Sequence, residues 1–323
     1  MFYILIVFRF AMGDIAVVAL GGNALIKPGQ TGTIYEQFAT TRETCASIAQ
    51  MVKDGWEIIL THGNGPPVGA LLLQQEMAKT LTPAMPLGIC VAQSQGQIGY
   101  MIQQCMANAL KKMDISKDVV TIVSQVIVND DDPAFGNPSK PVGPVYEDQD
   151  AITHLKRGYP LIKQKKGWRL IVPSPQPVSI VEAPVIKRLL EEGNIVIAAG
   201  GGGMPVIWED GKIDGREAVV DKDLASERLA TEIGADLLLI LTDVQYVYLE
   251  KNQIIQRATL EEMEKYYQMG FFPPGSMGPK VFASIQFLKN GGKRVAIASI
   301  DKAWQAAKGE EGTQIIHSSK KTF

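Results

Sequence analysis

The sequence predicts an α/β protein in which helices cover both faces of an open, mainly parallel sheet. Three observations support this fold class. Short apolar runs have the character of buried strands, they alternate with longer segments of helical periodicity, and glycine-rich loops follow several of the runs. The 323 residues, 46% of them apolar, suffice for one large domain or two coupled lobes.

The predicted strands are brief and rich in β-branched residues. Runs of this kind belong inside a parallel sheet, where helices exclude water from both faces. In chain order they are Ile15–Leu20, Trp56–Thr61, Val119–Val128, Trp168–Val172, Asn194–Ala199, Asp236–Thr242 and Arg294–Ala298.

Between the strands, apolar residues recur every three or four positions, the spacing of one helix face. One such pattern runs from about Ile34 to Val52, and Gly55 ends it. The other predicted helices are Gly69–Lys79, Val91–Met113, Pro184–Glu192, Leu224–Ile233, Leu260–Met269 and Pro279–Lys289.

One segment interrupts the alternation of strands and helices. Residues 129–144 read NDDDPAFGNPSKPVGP, and this density of Pro, Asp and Gly predicts a loop without regular structure. Long irregular loops in compact enzymes usually serve as lids or flaps. We therefore expect a protruding flap here, followed by a surface excursion to about residue 167.

Charge and cysteine content exclude several classes of protein. The net charge of −2, from 32 basic and 34 acidic residues, argues against a nucleic-acid-binding protein. Cys45 and Cys105 fall within helical patterns and are interpreted as core residues, and three cysteines without a CxxC pair fit a reducing compartment. The cysteines and histidines show no metal-ligand spacing, so no metal ligand is assigned.

The first residues, 1–10, are apolar but shorter than the ~20 residues that a membrane helix needs. They also lack the order of regions found in a signal peptide. Two interpretations stand: an extra strand paired onto the fold, or an upstream start codon. The second is favoured because Met12 lies just ahead of the first strand.

Glycine-rich loops are the strongest functional signal from the residues themselves. At the carboxyl end of a parallel strand a loop faces the ligand crevice, and glycine lets successive backbone N–H groups approach an anion. A helix that begins behind the loop adds partial positive charge. The loops therefore predict phosphate or carboxylate binding at 21–23, 62–66, 200–203 and 275–278. Neither GxxxxGK[ST] nor a GxGxxG after the first strand occurs, which excludes a P-loop and leaves a dinucleotide site unsupported.

Three lysines stand in loops rather than on helix surfaces. Phosphoryl transfer requires cations that already face the oxygens of the transferred group. Lys222 lies between two aspartates, and Asp223 could keep it charged and oriented. Lys280 follows a glycine-rich turn, and Lys140 stands between prolines in the flap.

Eight sequence blocks closely resemble the carbamate kinase group of the amino acid kinase family. They span nearly the whole chain in that family's order, so their combination is specific. The blocks are ALGGNAL (19–25), THGNGPPVG (61–69), NPSKPVGP (137–144), VPSPQP (172–177), GGGGMPV (200–206), VVDKDLAS (219–226), LTDVQYVY (241–248) and PGSMGPK (274–280).

The resemblance implies a three-layer αβα sandwich with an open sheet and a small protruding lid subdomain at about 125–170. Residues 13–193 would bind the acceptor and residues 194–323 the nucleotide, with 1–12 as an extension. It implies the reaction ATP + carbamate ⇌ ADP + carbamoyl phosphate with Mg²⁺. Relatives of this kind are cytoplasmic homodimers that commonly form ATP during arginine breakdown, with no nucleic-acid or membrane partner.

The same resemblance assigns residues to roles. Gly21, Gly22 and Asn23 would bind the phosphoryl group, and Gly63, Asn64 and Gly65 would bind the carbamate. Lys140, Lys222 and Lys280 would neutralise the oxygens, with Asp223 organising the lysines. The residues near ATP or ADP would be Thr242, Asp243, Tyr246 and Met277. From the tetraglycine loop, Gly201 and Gly202 join the phosphate-binding set.

Two positions bear on the choice among relatives. Ala19 stands where many amino acid kinases have lysine, which disfavours acetylglutamate and glutamate kinases. Pro67 replaces the usual Gln, removes a backbone N–H and could alter acceptor affinity. A kinase for a larger acid and a nucleotide-binding sensor without catalysis remain as alternatives.

Overall fold

The computed structural model describes residues 13–27, 29–150, 160–164, 167–249 and 253–318. The extension predicted for residues 1–12 lies outside these described residues. Strands of the described chain form one large sheet and three smaller ones. The strands are β1 (Ile15–Leu20), β2 (Glu57–His62), β3 (Val119–Thr121), β4 (Gln125–Ile127), β5 (Lys140–Tyr146), β6 (Leu161–Gln164), β7 (Gly167–Val172), β8 (Ser179–Ile180), β9 (Ile195–Ile197), β10 (Met204–Glu209), β11 (Lys212–Gly215), β12 (Leu237–Thr242), β13 (Val247–Tyr248), β14 (Ile254–Ile255), β15 (Arg257–Thr259), β16 (Arg294–Ser299) and β17 (Thr313–Ile316).

The large sheet has eight strands in the order β15-β17-β16-β12-β1-β2-β9-β3. All neighbours are parallel except β16 and β17. The chain crosses between distant strands, so helices must connect them. This arrangement confirms the predicted α/β class with a mainly parallel sheet.

Two apolar cores, one on each face of this sheet, account for the continuous hydrophobic runs. In β1, Val17 and Ala19 belong to one core, while Val18 and Leu20 belong to the other. Side chains alternate between the faces of a strand, so an all-apolar strand requires cover on both. The molecule therefore has three layers, helices–sheet–helices.

The helices divide between the two faces. The helices are α1 (Ile34–Lys53), α2 (Gly65–Ala78), α3 (Leu87–Lys111), α4 (Ala183–Glu191), α5 (Lys222–Ile233), α6 (Leu260–Gln268), α7 (Met277–Lys289) and α8 (Ala303–Lys308). Helices α1, α3 and α8 pack on one face, whereas α4, α5, α6 and α7 pack on the other.

Local signals explain where several helices begin. Thr33 and Glu36 form a reciprocal capping box at the start of α1. The helix α2 begins four residues earlier than predicted, since Pro66 and Pro67 fall in its first turn. Backbone N–H groups have no helical partner in that turn, so proline costs nothing there.

The prediction of a single strand over Val119–Val128 was wrong, because the segment forms two strands. The chain forms β3 in the large sheet and then β4 in a four-stranded sheet, ordered β11-β10-β4-β8. Buried Ser124 lies between them, and its backbone N–H and C=O bond to the side chain of Gln95. The C=O of Ser124 also accepts from the backbone N–H of Met204, so the backbone groups of Ser124 stay hydrogen-bonded where the chain changes sheets.

The flap residues also differ from the prediction of an irregular loop. A 3-10 turn spans Pro133–Phe135, and β5 begins at Lys140. Strand β5 is an edge strand in the antiparallel sheet β5-β7-β6, where a proline such as Pro141 needs no second partner. The segment predicted as a buried parallel strand, Trp168–Val172, is β7 of this sheet and only half-buried.

This three-stranded sheet overlaps the region predicted as a lid, about 125–170, and is hereafter called the lid sheet. Val172 packs against a small apolar cluster that includes Val68 of α2 and Val91 of α3. The sequence did not predict several short elements: β8, β10, β11, β13, β14, β15, β17 and α8. Among helices of the described residues, none is both long and apolar enough to cross a bilayer.

Candidate active site

The loops that follow β1, β2, β9 and β12 share one edge of the large sheet, because parallel strands end at the same edge. Gly21 follows β1, and its N–H bonds to Leu241 O at 2.9 Å in β12. Gly63 follows β2, and its N–H bonds to Leu20 O at 3.0 Å. The backbone of two glycine-rich loops, those after β1 and β2, is thus tied to neighbouring strands at this edge.

A cavity of about 210 Å³ opens beside these loops and beneath the lid sheet. Three predicted lysines, from three separate parts of the chain, line it together. Asp221 and Arg169, which the sequence analysis did not assign, line it as well. The predicted residues in its wall are Gly63, Asn64, Gly65, Lys140, Gly201, Lys222, Asp223 and Lys280.

Asp223 holds two of the lysines. Its buried carboxylate accepts hydrogen bonds from Lys222 Nζ at 2.5 Å and from Lys280 Nζ at 3.1 Å. Burial by itself would raise the pKa of Asp223, but the two ammonium charges and their hydrogen bonds outweigh it and hold that pKa at about 2. The ionised carboxylate therefore fixes both cations at the cavity.

The third lysine, Lys140, comes from the lid sheet and pairs with Asp221. Lys140 Nζ donates to Asp221 Oδ2 at 2.5 Å, while Asp221 Oδ1 accepts from the backbone N–H of Asp223 at 2.9 Å. Asp221 is thereby the N-cap of α5. One carboxylate connects the lid sheet to the helix that carries Lys222.

Close packing around the tetraglycine loop explains its composition. Gly201 has φ of +65°, and an added Cβ would lie 2.2 Å from Asn64 Nδ2. Gly202 has φ of +91°, and its Cβ would lie 2.2 Å from Val220 O. Only glycine combines these dihedral angles with such close neighbours.

His62 supports two of the loops from below the cavity. Its Nδ1 lies 3.1 Å from Gly63 O, a group that can only accept, so Nδ1 carries the proton. Burial, helped by the nearby Lys222 charge, lowers the pKa of His62 to about 4, against the opposing effect of the Gly63 hydrogen bond. A Cβ at Gly200 would lie 2.4 Å from its Nε2.

The remaining predicted residues lie at the sheet edge but not in the wall of this cavity. Asn23, Thr242 and Asp243 line a second cavity of about 540 Å³. Tyr246 lines a third, of about 770 Å³, and donates from its hydroxyl to Glu311 Oε2 at 2.9 Å. Met277 begins α7, directly after Gly275 and Ser276 of the central cavity.

Gly21, Gly22 and Gly202 also lie outside the wall of the cavity, but Gly22 lies against the loop of Gly63. Gly22 N lies 3.8 Å from the position that a Cβ on Gly63 would take. Lys222 Cδ lies 3.3 Å from the same position, so the lysine stem crosses the face of Gly63. The first two glycine loops therefore meet at the stem of Lys222.

Comparison with known proteins places this geometry in a family. The sequence profile of the Amino acid kinase family matches residues 14–299. The chain belongs to the amino acid kinase family. Among curated family members, the carbamate kinase of Pyrococcus horikoshii is 51% identical over 312 residues, which cover 94% of this chain and 99% of that protein.

Solved structures of the amino acid kinase family agree with that result. The structure described as carbamate kinase from Giardia lamblia bound to citric acid has a TM-score of 0.90 and 40% identity, covering 95% of this chain and 99% of that one. The structure of the Giardia lamblia enzyme bound to AMP-PNP has a TM-score of 0.89 at the same identity and coverage. The predicted amino-acid-kinase sandwich is thereby confirmed.

Proposed function

We propose that this chain catalyses the reversible transfer of a phosphoryl group between ATP and carbamate, giving ADP and carbamoyl phosphate. The meeting of Lys140, Lys222 and Lys280 in one small cavity carries the proposal. Family membership supports a phosphotransferase, and the carbamate kinases among the relatives support carbamate as the acceptor.

The chemistry requires positioning and charge neutralisation. A carbamate oxygen attacks the γ-phosphorus of ATP, a new P–O bond forms, and the bond from that phosphorus to the bridging oxygen breaks as ADP leaves. Negative charge spreads over the equatorial oxygens, where Lys140, Lys222 and Lys280 would lie. Asp223 keeps Lys222 and Lys280 in place before the substrates arrive.

Backbone loops would hold the anionic groups on either side of the transferred phosphorus. We assign Gly21, Gly22 and Asn23, with Gly201 and Gly202, to the phosphoryl group, because their loops begin short helical turns at the sheet edge. The acceptor would lie against the loop of Gly63, Asn64 and Gly65. That loop opens α2 and lines the central cavity.

The nucleotide would occupy the side of α7 and β12. Thr242 ends β12, Asp243 and Tyr246 follow it in the chain, and Met277 begins α7. Mg²⁺ would arrive with the nucleotide substrate, since it is commonly held by substrate phosphates and one or two carboxylates. Within the described residues, no group of three or more His, Cys, Asp or Glu side chains is arranged to bind a metal.

The wider organisation follows the resemblance. We propose an acceptor lobe at 13–193, a nucleotide lobe at 194–323 and a lid at about 125–170. Exposed apolar side chains on α2 and α3 support a homodimer, which sedimentation equilibrium would test: Leu73, Met77, Ile89 and Tyr100. Free thiols at Cys45, Cys90 and Cys105 support a cytoplasmic setting.

The decisive experiment measures ATP formed from carbamoyl phosphate and Mg-ADP by the purified chain. We expect turnover in the range of about 1–1,000 s⁻¹ that is usual for enzymes. A folded protein that forms no ATP would overturn the proposal. Formation of ATP in this direction, as arginine breakdown requires, is part of the same proposal.

A substrate panel separates carbamate from larger acceptors. With ATP supplied, carbamate should be phosphorylated, whereas acetylglutamate and glutamate should not, because a cavity of about 210 Å³ has little room for their side chains beside a nucleotide phosphate. Nucleotide binding without transfer to any acceptor would instead indicate a sensor.

A further inference from the structure

Arg169 is a fourth cation in the wall of the central cavity. It lies on β7 of the lid sheet, next to the segment of β5 that supplies Lys140. Its guanidinium Nη2 donates to Gly143 O at 3.1 Å. Arg169 therefore belongs to the lid sheet, yet its side chain contributes to the cavity below it.

The guanidinium has hydrogen-bonding capacity that the protein does not use. Among the described residues Arg169 forms no ion pair, and its Nε is buried without a hydrogen-bond partner. A guanidinium carries five N–H donors in a planar fork that matches carboxylate and phosphate oxygens. A buried unpaired donor is costly, so a donor left unpaired beside a cavity indicates a ligand.

The charges in the wall of the cavity also favour an anion there. Lys140, Lys222 and Lys280 are engaged by the two carboxylates of the wall, Asp221 and Asp223, and Arg169 has no carboxylate partner. With four cations and two carboxylates the wall has a formal net charge of +2. Burial lowers the pKa of Arg169, because a partly buried guanidinium loses solvation by water.

The contacts of Gly143 place Arg169 on the acceptor side. The Gly143 carbonyl that anchors the guanidinium lies 3.6 Å from an ideal Cβ on Gly69, in the first turns of α2. The same helix begins at Gly65, in the loop assigned to the acceptor. Arg169 is thus tied to the helix that opens at the acceptor loop.

We propose that Arg169, which the lid sheet contributes to the acceptor side of the cavity, binds the acyl phosphate carbamoyl phosphate directly. This proposal rests on the proposed function and names a binding residue for it. The fork geometry of the guanidinium would hold two anionic oxygens at once, which an ammonium group cannot do.

The test compares Arg169→Gln and Arg169→Lys with Arg188→Gln, which makes the same chemical change at an exposed arginine of α4. We expect Arg169→Gln to raise the KM for carbamoyl phosphate by roughly 10- to 100-fold, the loss of a charge-assisted hydrogen bond. The KM for Mg-ADP should change by less than about threefold. The KM of Arg169→Lys for carbamoyl phosphate should lie between those of the wild type and Arg169→Gln. Arg188→Gln should have the wild-type KM.

Direct binding separates ligation from a structural tether to Gly143. Isothermal titration with phosphonoacetamide, in which a methylene replaces the bridging oxygen of carbamoyl phosphate, should show weaker binding to Arg169→Gln by a similar factor. An equal rise in the KM for carbamoyl phosphate and for Mg-ADP, or unchanged binding of the analogue, would overturn the proposal. If the wild type forms no ATP, the proposed function fails, whereas this titration still decides whether Arg169 binds the anion.

Discussion

At the scale of single residues, the site depends on a buried carboxylate that serves two lysines. Asp223 is 3% exposed, and its two oxygens each accept from a different ammonium group. Removing one partner of a buried charge cluster leaves the others uncompensated. The lysines can therefore be removed singly only with attention to what Asp223 retains.

Replacing Lys222 with alanine should remove most activity while the protein stays folded. Lys280 remains to neutralise Asp223, whereas one cation is lost from the transferred phosphoryl group. We expect turnover to fall by about 100- to 1,000-fold, as for loss of one preorganised donor. Steady-state ATP formation and circular dichroism would measure activity and folding.

Lys212→Ala, at an exposed lysine of β11, is the matched control and should retain full activity. Wild-type turnover in Lys222→Ala would remove Lys222 from the mechanism.

At the scale of elements, the turn between β9 and β10 is the most constrained part of the site. Three successive glycines, Gly201, Gly202 and Gly203, have positive φ, and each would bring a Cβ within 2.4 Å of another atom. The turn thus fits closely between the β2 loop, β4 and the segment that precedes α5.

Gly202→Ala should destabilise the protein far more than Gly211→Ala. Both glycines have positive φ, of +91° and +74°, but only Gly202 has a backbone oxygen where the new methyl would lie. The shared dihedral strain costs about 1–2 kcal/mol, and the clash with Val220 O adds about 1–3 kcal/mol. Urea unfolding would measure the difference, and equal midpoints for the two variants would contradict the steric argument.

At the scale of the whole molecule, stability should depend on pH through His62. Its native pKa of about 4 lies below the ordinary value of 6.5, so the unfolded chain binds a proton that the folded protein does not. The contribution is complete above about pH 6.5 and is lost as the pH falls to about 4, amounting to about 3 kcal/mol. Asp223 adds a further loss below its ordinary value of 3.8, toward about 2.

Urea unfolding at intervals from pH 7.5 to pH 4 would reveal this dependence. His62→Gln, which retains a donor for Gly63 O but does not titrate, should flatten the profile between about pH 6.5 and 4. An unchanged slope in that variant would show that another group is responsible.

The sequence predicted the interior of the sheet well because strands such as Ile15–Leu20 are apolar throughout and have one role. It predicted the site lysines from their loops, but their convergence came from the family resemblance. Lys140 and Asp221 are 81 positions apart, so no spacing rule could pair them. Arg169 was missed because a lone arginine on a half-exposed strand resembles any surface residue.

Short elements at the edge of the fold were missed for a different reason. Two-residue strands such as β13 and β14 carry too few side chains to show a period. Strand β5 contains prolines, which usually argue against a strand, and it exists because an edge position tolerates them. In these places, tertiary pairing determines the structure and local preference does not.

The two oxygens of Asp221 accept different hydrogen bonds, and this difference has a consequence for product release. One oxygen holds the start of α5, and the other receives Lys140 from the lid sheet. If the lid sheet lifted, Lys140 would leave Asp221, but the hydrogen bond from Asp223 N–H to Asp221 would remain. Helix α5 would therefore keep its first turn, and both cations would stay near Asp223. After product release, α5 and the two lysines paired with Asp223 would then already be in place for the next turnover.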